Sequence, residues 1–170
     1  MNIYLVDAKI SEDEAKIVME WRNDPETRKM FYNQELKTWD VFWKEYSSEY
    51  FKTISLTPCF ALQEGRRIAF LRSSKYDIPQ LCGKTFDIDI NVSPDMRGKG
   101  IGTSVIEIFC DRIFASGADN VIAEVKKINL ASARAFEKAG FMFFDEIIKE
   151  IKGGPCNVFR FIKKNIVGAK

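Results

Sequence analysis

The chain of 170 residues contains no histidine. This absence excludes every mechanism that depends on an imidazole, such as serine–histidine–aspartate triads, cysteine–histidine dyads and histidine-ligated metal sites. Any acid–base chemistry must therefore use carboxylates, tyrosines, lysines, cysteines or water. We expect no resident metal ion.

Other signals are missing as well. The four cysteines form no CxxC pair, which excludes zinc-ribbon and thioredoxin-like sites. The N-terminus lacks the basic and apolar regions of a signal peptide, and no apolar run approaches the ~18 residues of a membrane span. The net charge of +2 provides no basic face for nucleic acids. We therefore expect a reduced, cytoplasmic protein that binds neither membranes nor nucleic acids.

The composition that remains is that of a globular domain. Hydrophobic residues make up 46% of the chain and charged residues 29%, which argues against disorder. A chain of this length buries roughly two-thirds of its unfolded surface without a metal or disulfide. We predict a single domain over residues 1–170.

Helices dominate the first part of the chain. The pattern predicts a strand over 2–6 and helices over about 12–23, 25–31 and 38–51. Ser11 and Glu14 have the spacing of a capping box, and Asp24 precedes a proline that suits the first helical position. An aromatic stripe along the third helix indicates core packing, with a ligand-binding wall as the alternative.

The second part alternates strands and helices. Strands are predicted over 59–64, 68–74, 86–92, 121–127, 141–151 and 157–162, with helices over about 100–116 and 130–140. Strand 86–92 places Asp87, Asp89 and Asn91 on one face and its apolar residues on the other. Because a helix joins strand 86–92 to strand 121–127, we expect these two strands to be parallel.

A glycine-rich segment between the strand and the helix carries the strongest chemical signal. Three glycines fall within five residues, at Gly98, Gly100 and Gly102. They let the backbone approach a ligand, and the following helix presents free N–H groups, so the segment suits a pyrophosphate. Its spacing fits neither a Walker A loop nor a dinucleotide fingerprint. The alternative is a turn that only caps the helix.

A second block follows, with Asn129, a Ser/Ala pair, an aromatic and then E-K-x-G-F ending at Phe141. Together with the R-x-x-G-x-G spacing of Arg97, Gly100 and Gly102, it resembles the two signatures of the GNAT superfamily of acyl-CoA-dependent N-acetyltransferases. The resemblance implies an α/β fold in which helices flank a splayed mixed sheet of about seven strands.

The resemblance also implies the cosubstrate, acetyl-CoA, and how it binds. The amides of loop 97–103 would hold the pyrophosphate, strand 86–92 would pair with the pantetheine arm, and Phe136 would flank the thioester. The implied cofactor-binding residues are Asn91, Val92, Arg97, Gly98, Lys99, Gly100, Ile101, Gly102, Thr103, Asn129, Ser132, Phe136 and Lys138. Many members have a tyrosine at position 136 that protonates the departing thiolate, whereas Phe136 cannot donate a proton.

The acceptor is expected to be a primary amine of a small molecule. Segments 21–33 and 58–142 are similar to the branch that contains aminoglycoside 6'-N-acetyltransferases and amino-sugar acetyltransferases. In that branch an aspartate on the central strand acts on the amine, and Asp89 fits its position best, with Asp87 as the alternative. Both carboxylates could equally form a solvated strand face. A protein N-terminus or polyamine as acceptor, a silent CoA-binding module, and a homodimer also remain open.

Overall fold

The computed structural model describes residues 2–52 and 56–166. Its centre is a seven-stranded mixed sheet with the order β1-β2-β3-β4-β5-β7-β6. The strands are β1 (Ile3–Asp7), β2 (Cys59–Gln63), β3 (Arg66–Lys75), β4 (Thr85–Val92), β5 (Asn120–Lys126), β6 (Met142–Ile151) and β7 (Gly154–Lys164). The splayed seven-stranded sheet predicted from the sequence is thereby confirmed.

Five α-helices accompany the sheet in the described residues. They are α1 (Glu12–Asn23), α2 (Pro25–Met30), α3 (Trp39–Lys44), α4 (Ile101–Ala115) and α5 (Leu130–Lys138). The Asp24 side chain accepts from the Thr27 amide at 2.9 Å and so caps α2 as predicted. At α1, Ser11 caps the helix, but Glu14 accepts from the Lys9 amide instead of completing the capping box.

The predicted third helix differs from the structure after Lys44. There the backbone widens into a π-helical turn over Glu45–Glu49. The hydroxyls of Ser47 and Ser48 donate to the carbonyls four residues earlier, and this bonding competes with the helical ladder and favours such irregular turns. The final hairpin also differs: Gly154 already pairs with Ile151, so β7 begins earlier than the predicted residue 157.

Each face of the sheet packs against its own helices because the strand side chains alternate. On one face, α1 and α3 cover an aromatic cluster that includes Phe42, Tyr46 and Phe70, as the core interpretation of the aromatic stripe predicts. On the other face, α4 and α5 cover a second hydrophobic core around Val105 and Phe109. The face under α1 and α3 is the one that carries the polar side chains of β4.

The parallel pair predicted in the middle of the sheet is present but short. Strand β4 pairs with β5 only from Thr85 to Asp87, opposite Asn120 to Ile122. Beyond that point β4 stays paired with β3, and β5 stays paired with β7. The two halves of the sheet therefore separate between residues 88–92 and 123–126.

No helix in the described part of the chain is long and apolar enough to cross a membrane. The four cysteines are all free thiols, and Cys59 and Cys110 are buried. Burial raises the pKa of each of these two thiols to about 12, so neither is a reactive thiolate near neutral pH.

Candidate active site

The glycine-rich loop lies directly beyond the opening between β4 and β5. Gly98 and Gly100 have left-handed φ angles of +72° and +76°, which side chains rarely adopt. A Cβ atom on either residue would meet no protein atom within 4 Å, so this side of the loop is open. The loop thus exposes its backbone where the sequence predicts an anion site.

Gly100 is also the N-cap of α4, and without a side chain it offers no capping oxygen. The first amides of a helix have no partner within the helix, and they lie at the positive end of its dipole. Loop 97–103 therefore presents N–H groups to the open side. Helix capping, the alternative interpretation, describes the same geometry and does not compete with anion binding.

The two cations of the loop have partners in the protein. The Arg97 guanidinium donates to the Asp24 carboxylate at 2.7 Å and to the Thr27 hydroxyl. Lys99 donates to the Asp95 carbonyl at 2.9 Å. Arg97 thus ties the loop to the start of α2, a contact across about 70 residues that the sequence does not indicate.

The second signature block packs α5 against α4. Asn129 caps α5 by accepting from the Ser132 amide at 3.2 Å, and Phe136 is buried edge-on against Phe141, with ring centroids 5.0 Å apart. Lys138 is exposed in the last turn of α5, at the opposite end from Asn129. The structure therefore does not bring Lys138 and Asn129 together.

The remaining predicted cofactor residues follow β4 into α4. Asn91 is buried and Val92 partly buried on β4, while Ile101 is buried at the start of α4. Gly102 and Thr103 lie in the first turn of α4. The Ile101 side chain belongs to the core, so only its backbone is free for a ligand.

Asp87 lies at the point where the sheet opens. Burial, together with the nearby Asp89 and Glu124, raises the pKa of its carboxyl to about 6. A hydrogen bond of 2.6 Å from the Ser74 amide and the charge of Arg72 act in the opposite direction without offsetting this rise. The pKa of Asp87 therefore lies close to neutral pH, which suits a group that accepts a proton during catalysis.

Asp89 lies on the same face but is already paired. Arg72 on β3 donates to its carboxylate at 2.5 Å, and the same guanidinium stacks 3.7 Å above the ring centroid of Tyr50. Asp89 is thus the counter-ion of a partly buried arginine. The pairing could not be anticipated from the sequence, because the register of β3 against β4 creates it.

Glu124 on β5 is a third carboxylate at the opening, and the sequence analysis missed it. Burial would raise its pKa, but hydrogen bonds from Lys149, Tyr76 and Tyr32 hold the pKa of this carboxyl below its usual value. The Tyr32 hydroxyl lies 2.8 Å from it. A usable signal existed: Glu124 is an acidic residue within an otherwise buried strand.

The fold and this site define a class of protein. A mixed sheet that opens between two parallel strands, with an amide-lined loop beyond the opening and carboxylates beside it, is the framework of an acyltransferase that uses a phosphorylated acyl carrier. The chain belongs to the GNAT family of acetyltransferases, because the sequence model of that family matches residues 17–141. The chain is therefore an acetyl-CoA-dependent acetyltransferase, as its sequence resemblance predicted.

Solved structures share this fold at low sequence identity. Aminoglycoside acetyltransferase AAC(6')-Ib, solved with ribostamycin and coenzyme A, superposes with a TM-score of 0.80 at 18% identity, covering 97% of this chain and 94% of that one. A GNAT acetyltransferase from Bacillus anthracis gives 0.79 at 13% identity, covering 96% and 95%. Spermidine N-acetyltransferase from Vibrio cholerae, solved with CoA and spermine, gives 0.78 at 14% identity, covering 95% of each chain. No curated protein matches the chain by sequence.

Proposed function

We propose that this protein transfers the acetyl group of acetyl-CoA to a primary amine of a small molecule. One observation carries the proposal: the amide-lined loop follows a strand that separates from its parallel neighbour, and titratable carboxylates line that separation. A long phosphorylated thioester and an amine can meet there from opposite sides. Residues 1–170 form the single domain for this reaction.

The donor would bind along β4 and the loop. The amides of residues 97–103 would hold the pyrophosphate at the N-terminus of α4. The free edge of residues 88–92 would pair with the amide groups of the pantetheine arm as a neighbouring strand does. Asn129 already uses its side-chain oxygen as a cap, so its contribution would come from the side-chain N–H groups.

Asp87 is the proton acceptor that the site supports best. An amine arrives as an ammonium ion, and Asp87 takes one proton, directly or through water. The neutral nitrogen attacks the thioester carbonyl carbon and the carbon–sulfur bond breaks. The nitrogen then loses its second proton, which passes through water to the departing thiolate, and the amide forms. Asp89, which the sequence favoured, is less available because Arg72 holds it. Glu124 remains ionised and suits binding of the ammonium ion.

The acceptor is proposed to be an amino sugar, either an aminoglycoside or a sugar nucleotide. AAC(6')-Ib, which shares the fold, was solved with an aminoglycoside. The alternatives are a polyamine, favoured by the fold shared with spermidine N-acetyltransferase, and a protein N-terminus. The test is acetyl-CoA turnover with aminoglycosides, amino-sugar nucleotides, polyamines and peptides, followed by mass spectrometry. Binding of acetyl-CoA without turnover on any amine would instead support a silent CoA-binding module.

Changing Phe136 to Tyr is expected to alter kcat by less than about tenfold. A thiol has a pKa near ~8.5, so the thiolate leaves readily and water can protonate it afterwards. The added hydroxyl would enter the buried contact with Phe141 and is expected to lower the melting temperature. Steady-state kinetics and thermal unfolding measure both effects. Activity that appears only in Phe136→Tyr would contradict the proposed function and favour the silent module.

We also propose a cellular location for the protein and retain a prediction about its assembly. Four free thiols suit a reducing compartment, and we propose the cytoplasm, where a reduced chain persists. A homodimer stays a prediction, and light scattering of the purified chain measures it.

A further inference from the structure

A lysine from the far edge of the sheet reaches the opening between β4 and β5. Lys149 lies on the edge strand β6, and β7 separates β6 from β5. Neighbouring strands lie about 4.8 Å apart, so the two side chains of the pair bridge two strand spacings, about 10 Å. The Lys149 ammonium group donates to the Glu124 carboxylate on β5. None of the other lysine ion pairs in the described residues involves a carboxylate at the opening.

This ammonium group occupies the place that the proposed mechanism gives to the ammonium ion of the acceptor. Glu124 is two residues beyond Ile122, where β5 last pairs with β4, opposite Asp87. The Lys149 ammonium also lies 5.0 Å from the centroid of the Tyr32 ring, whose hydroxyl donates to Glu124. The ring and the carboxylate together hold a cation at this position. A primary amine of the chain itself is therefore present beside the gap.

The proposed proton acceptor is close to this amine. The charge of Glu124 contributes to the raised pKa of Asp87, so the two carboxylates are near enough to interact. The Lys149 side chain is 35% exposed, and packing does not seal it in. Its four methylene groups leave the ammonium free to turn from Glu124 towards the gap.

We propose that Lys149 is a self-acetylation site: with acetyl-CoA bound and no acceptor amine present, the chain acetylates its own Lys149. This inference rests on the proposed acetyltransferase function. Asp87 takes one proton from the ammonium group, directly or through water, and Nζ attacks the thioester carbonyl carbon. The carbon–sulfur bond breaks, and a second proton passes from the nitrogen through water to the departing thiolate. The products are an acetylated lysine and CoA.

Acetylation would change the charge of the acceptor site. The modified Lys149 has no positive charge, so its ion pair with Glu124 is lost. Of the contacts that lower the pKa of Glu124, the hydrogen bond from Lys149 is the largest. The pKa of Glu124 should therefore rise when Lys149 is acetylated, with only the hydroxyls of Tyr32 and Tyr76 still donating to it.

The test is incubation of the whole chain with acetyl-CoA and no added amine, followed by intact-mass measurement and peptide mapping. We expect one acetyl group, on Lys149, at a rate that does not depend on protein concentration. Lys127 and Lys152 report uncatalysed acetylation, because their side chains are more exposed, at 50% and 78%. Both should react roughly tenfold or more slowly than Lys149, which the site holds beside the thioester. Excess desulfo-CoA should slow the reaction at Lys149 alone.

Variants locate the modification. Lys149→Arg keeps the charge and should abolish the rapid mass increase. The matched control is Lys152→Arg, which changes an exposed lysine three residues away that is paired with Glu35. This control should be acetylated as fast as the wild type.

A second measurement needs no acetyl-CoA. Lys149→Gln removes the cation, so the pKa of Glu124, followed by NMR titration of its carboxyl carbon, should be higher than in the wild type. The acetylated wild type should show the same rise. An unchanged pKa of Glu124 in Lys149→Gln would show that the ammonium is not at the opening, and would overturn the inference.

The outcomes separate this inference from the function on which it rests. Turnover of small amines while Lys149 reacts no faster than Lys152 would overturn the inference and leave the acetyltransferase intact. A rate that rises with protein concentration, or that desulfo-CoA does not lower, would also overturn it. Tight binding of acetyl-CoA with neither turnover nor acetylation of the chain would contradict the proposed function itself.

Discussion

Replacing Asp87 with Asn is expected to lower kcat/KM by on the order of 10²-fold or more. The substitution keeps the size of the side chain and removes the group that would take the proton from the ammonium ion. Of the three carboxylates at the opening, Asp89 and Glu124 are each paired with a cationic side chain. Asp87 forms no ion pair within the described residues, and its pKa is raised to about 6. Steady-state kinetics with the best amine of the screen measures the effect.

The pH dependence of kcat/KM tests the role of Asp87 independently. In the wild type, log kcat/KM should rise with pH through a limb near 6 and then level off, because Asp87 must be ionised to accept a proton. In Asp87→Asn this limb should disappear. A limb that persists unchanged in the variant would assign the base to another group.

Stability should change in the opposite direction to activity. The folded-state pKa of Asp87, about 6, lies above the reference value of 3.8. Folding therefore favours the protonated form, and the stability this provides is present below pH 3.8 and is lost as the pH rises through about 6. Asp87→Asn should thus be more stable than the wild type at pH 8 and equal to it at low pH, as thermal unfolding at both pH values can show.

Asp89→Asn is the matched control, since it makes the same chemical change two residues away. It removes the counter-ion of Arg72 and should lower the melting temperature. The pH limb should persist but move to lower pH, because the charge of Asp89 helps to raise the pKa of Asp87. If instead Asp89→Asn abolishes the limb and Asp87→Asn does not, Asp89 is the proton acceptor, as the sequence alone favoured.

Replacing Gly100 with Val is expected to weaken acetyl-CoA binding at least tenfold, equivalent to about 1.4 kcal/mol. The residue has a φ of +76°, which a β-branched side chain strains, and the new side chain would point to the open side of the loop. Both effects act where a pyrophosphate would contact the amides. Isothermal titration calorimetry with acetyl-CoA measures the affinity.

Gly117→Val separates loss of the site from loss of stability. Gly117 also has a positive φ, +91°, and a Cβ there would likewise meet nothing within 4 Å, but it follows α4 at the end remote from the loop. The two variants should lose similar stability, and only Gly100→Val should lose affinity. Equal affinity in both variants and the wild type would show that the loop is only a turn.

The sequence predicts local structure well because local rules determine it here. The Asp24 cap, the glycine loop and the alternation of β4 each depend on neighbouring residues, and the structure agrees with all three. The parallel pair of β4 and β5 is what a helix that joins two neighbouring strands predicts. Even the π-helical turn, which was not predicted, has its cause in two adjacent serines.

The site is less predictable because its contacts cross the fold. The Tyr32 hydroxyl reaches Glu124 across 92 residues, and Arg97 reaches Asp24 across 73. No spacing rule relates such pairs, so the sequence could propose Asp87 and Asp89 but could not show that Arg72 holds only one of them. Likewise, the sequence could not show that Nη1 of Arg22 is buried without a hydrogen-bond partner among the described residues.

Where β4 separates from β5, two strand edges inside the sheet have no neighbouring strand with which to form backbone hydrogen bonds. Amide protons that point into this gap have no carbonyl partner across it, so they should exchange with deuterium far faster than those of the flanking β3–β4 and β5–β7 ladders. An extended ligand that supplies the missing carbonyls would slow them selectively. The amide exchange rates of residues 88–92 and 123–126 should therefore show whether a ligand fills the gap, and this measurement needs neither a label nor a mutation.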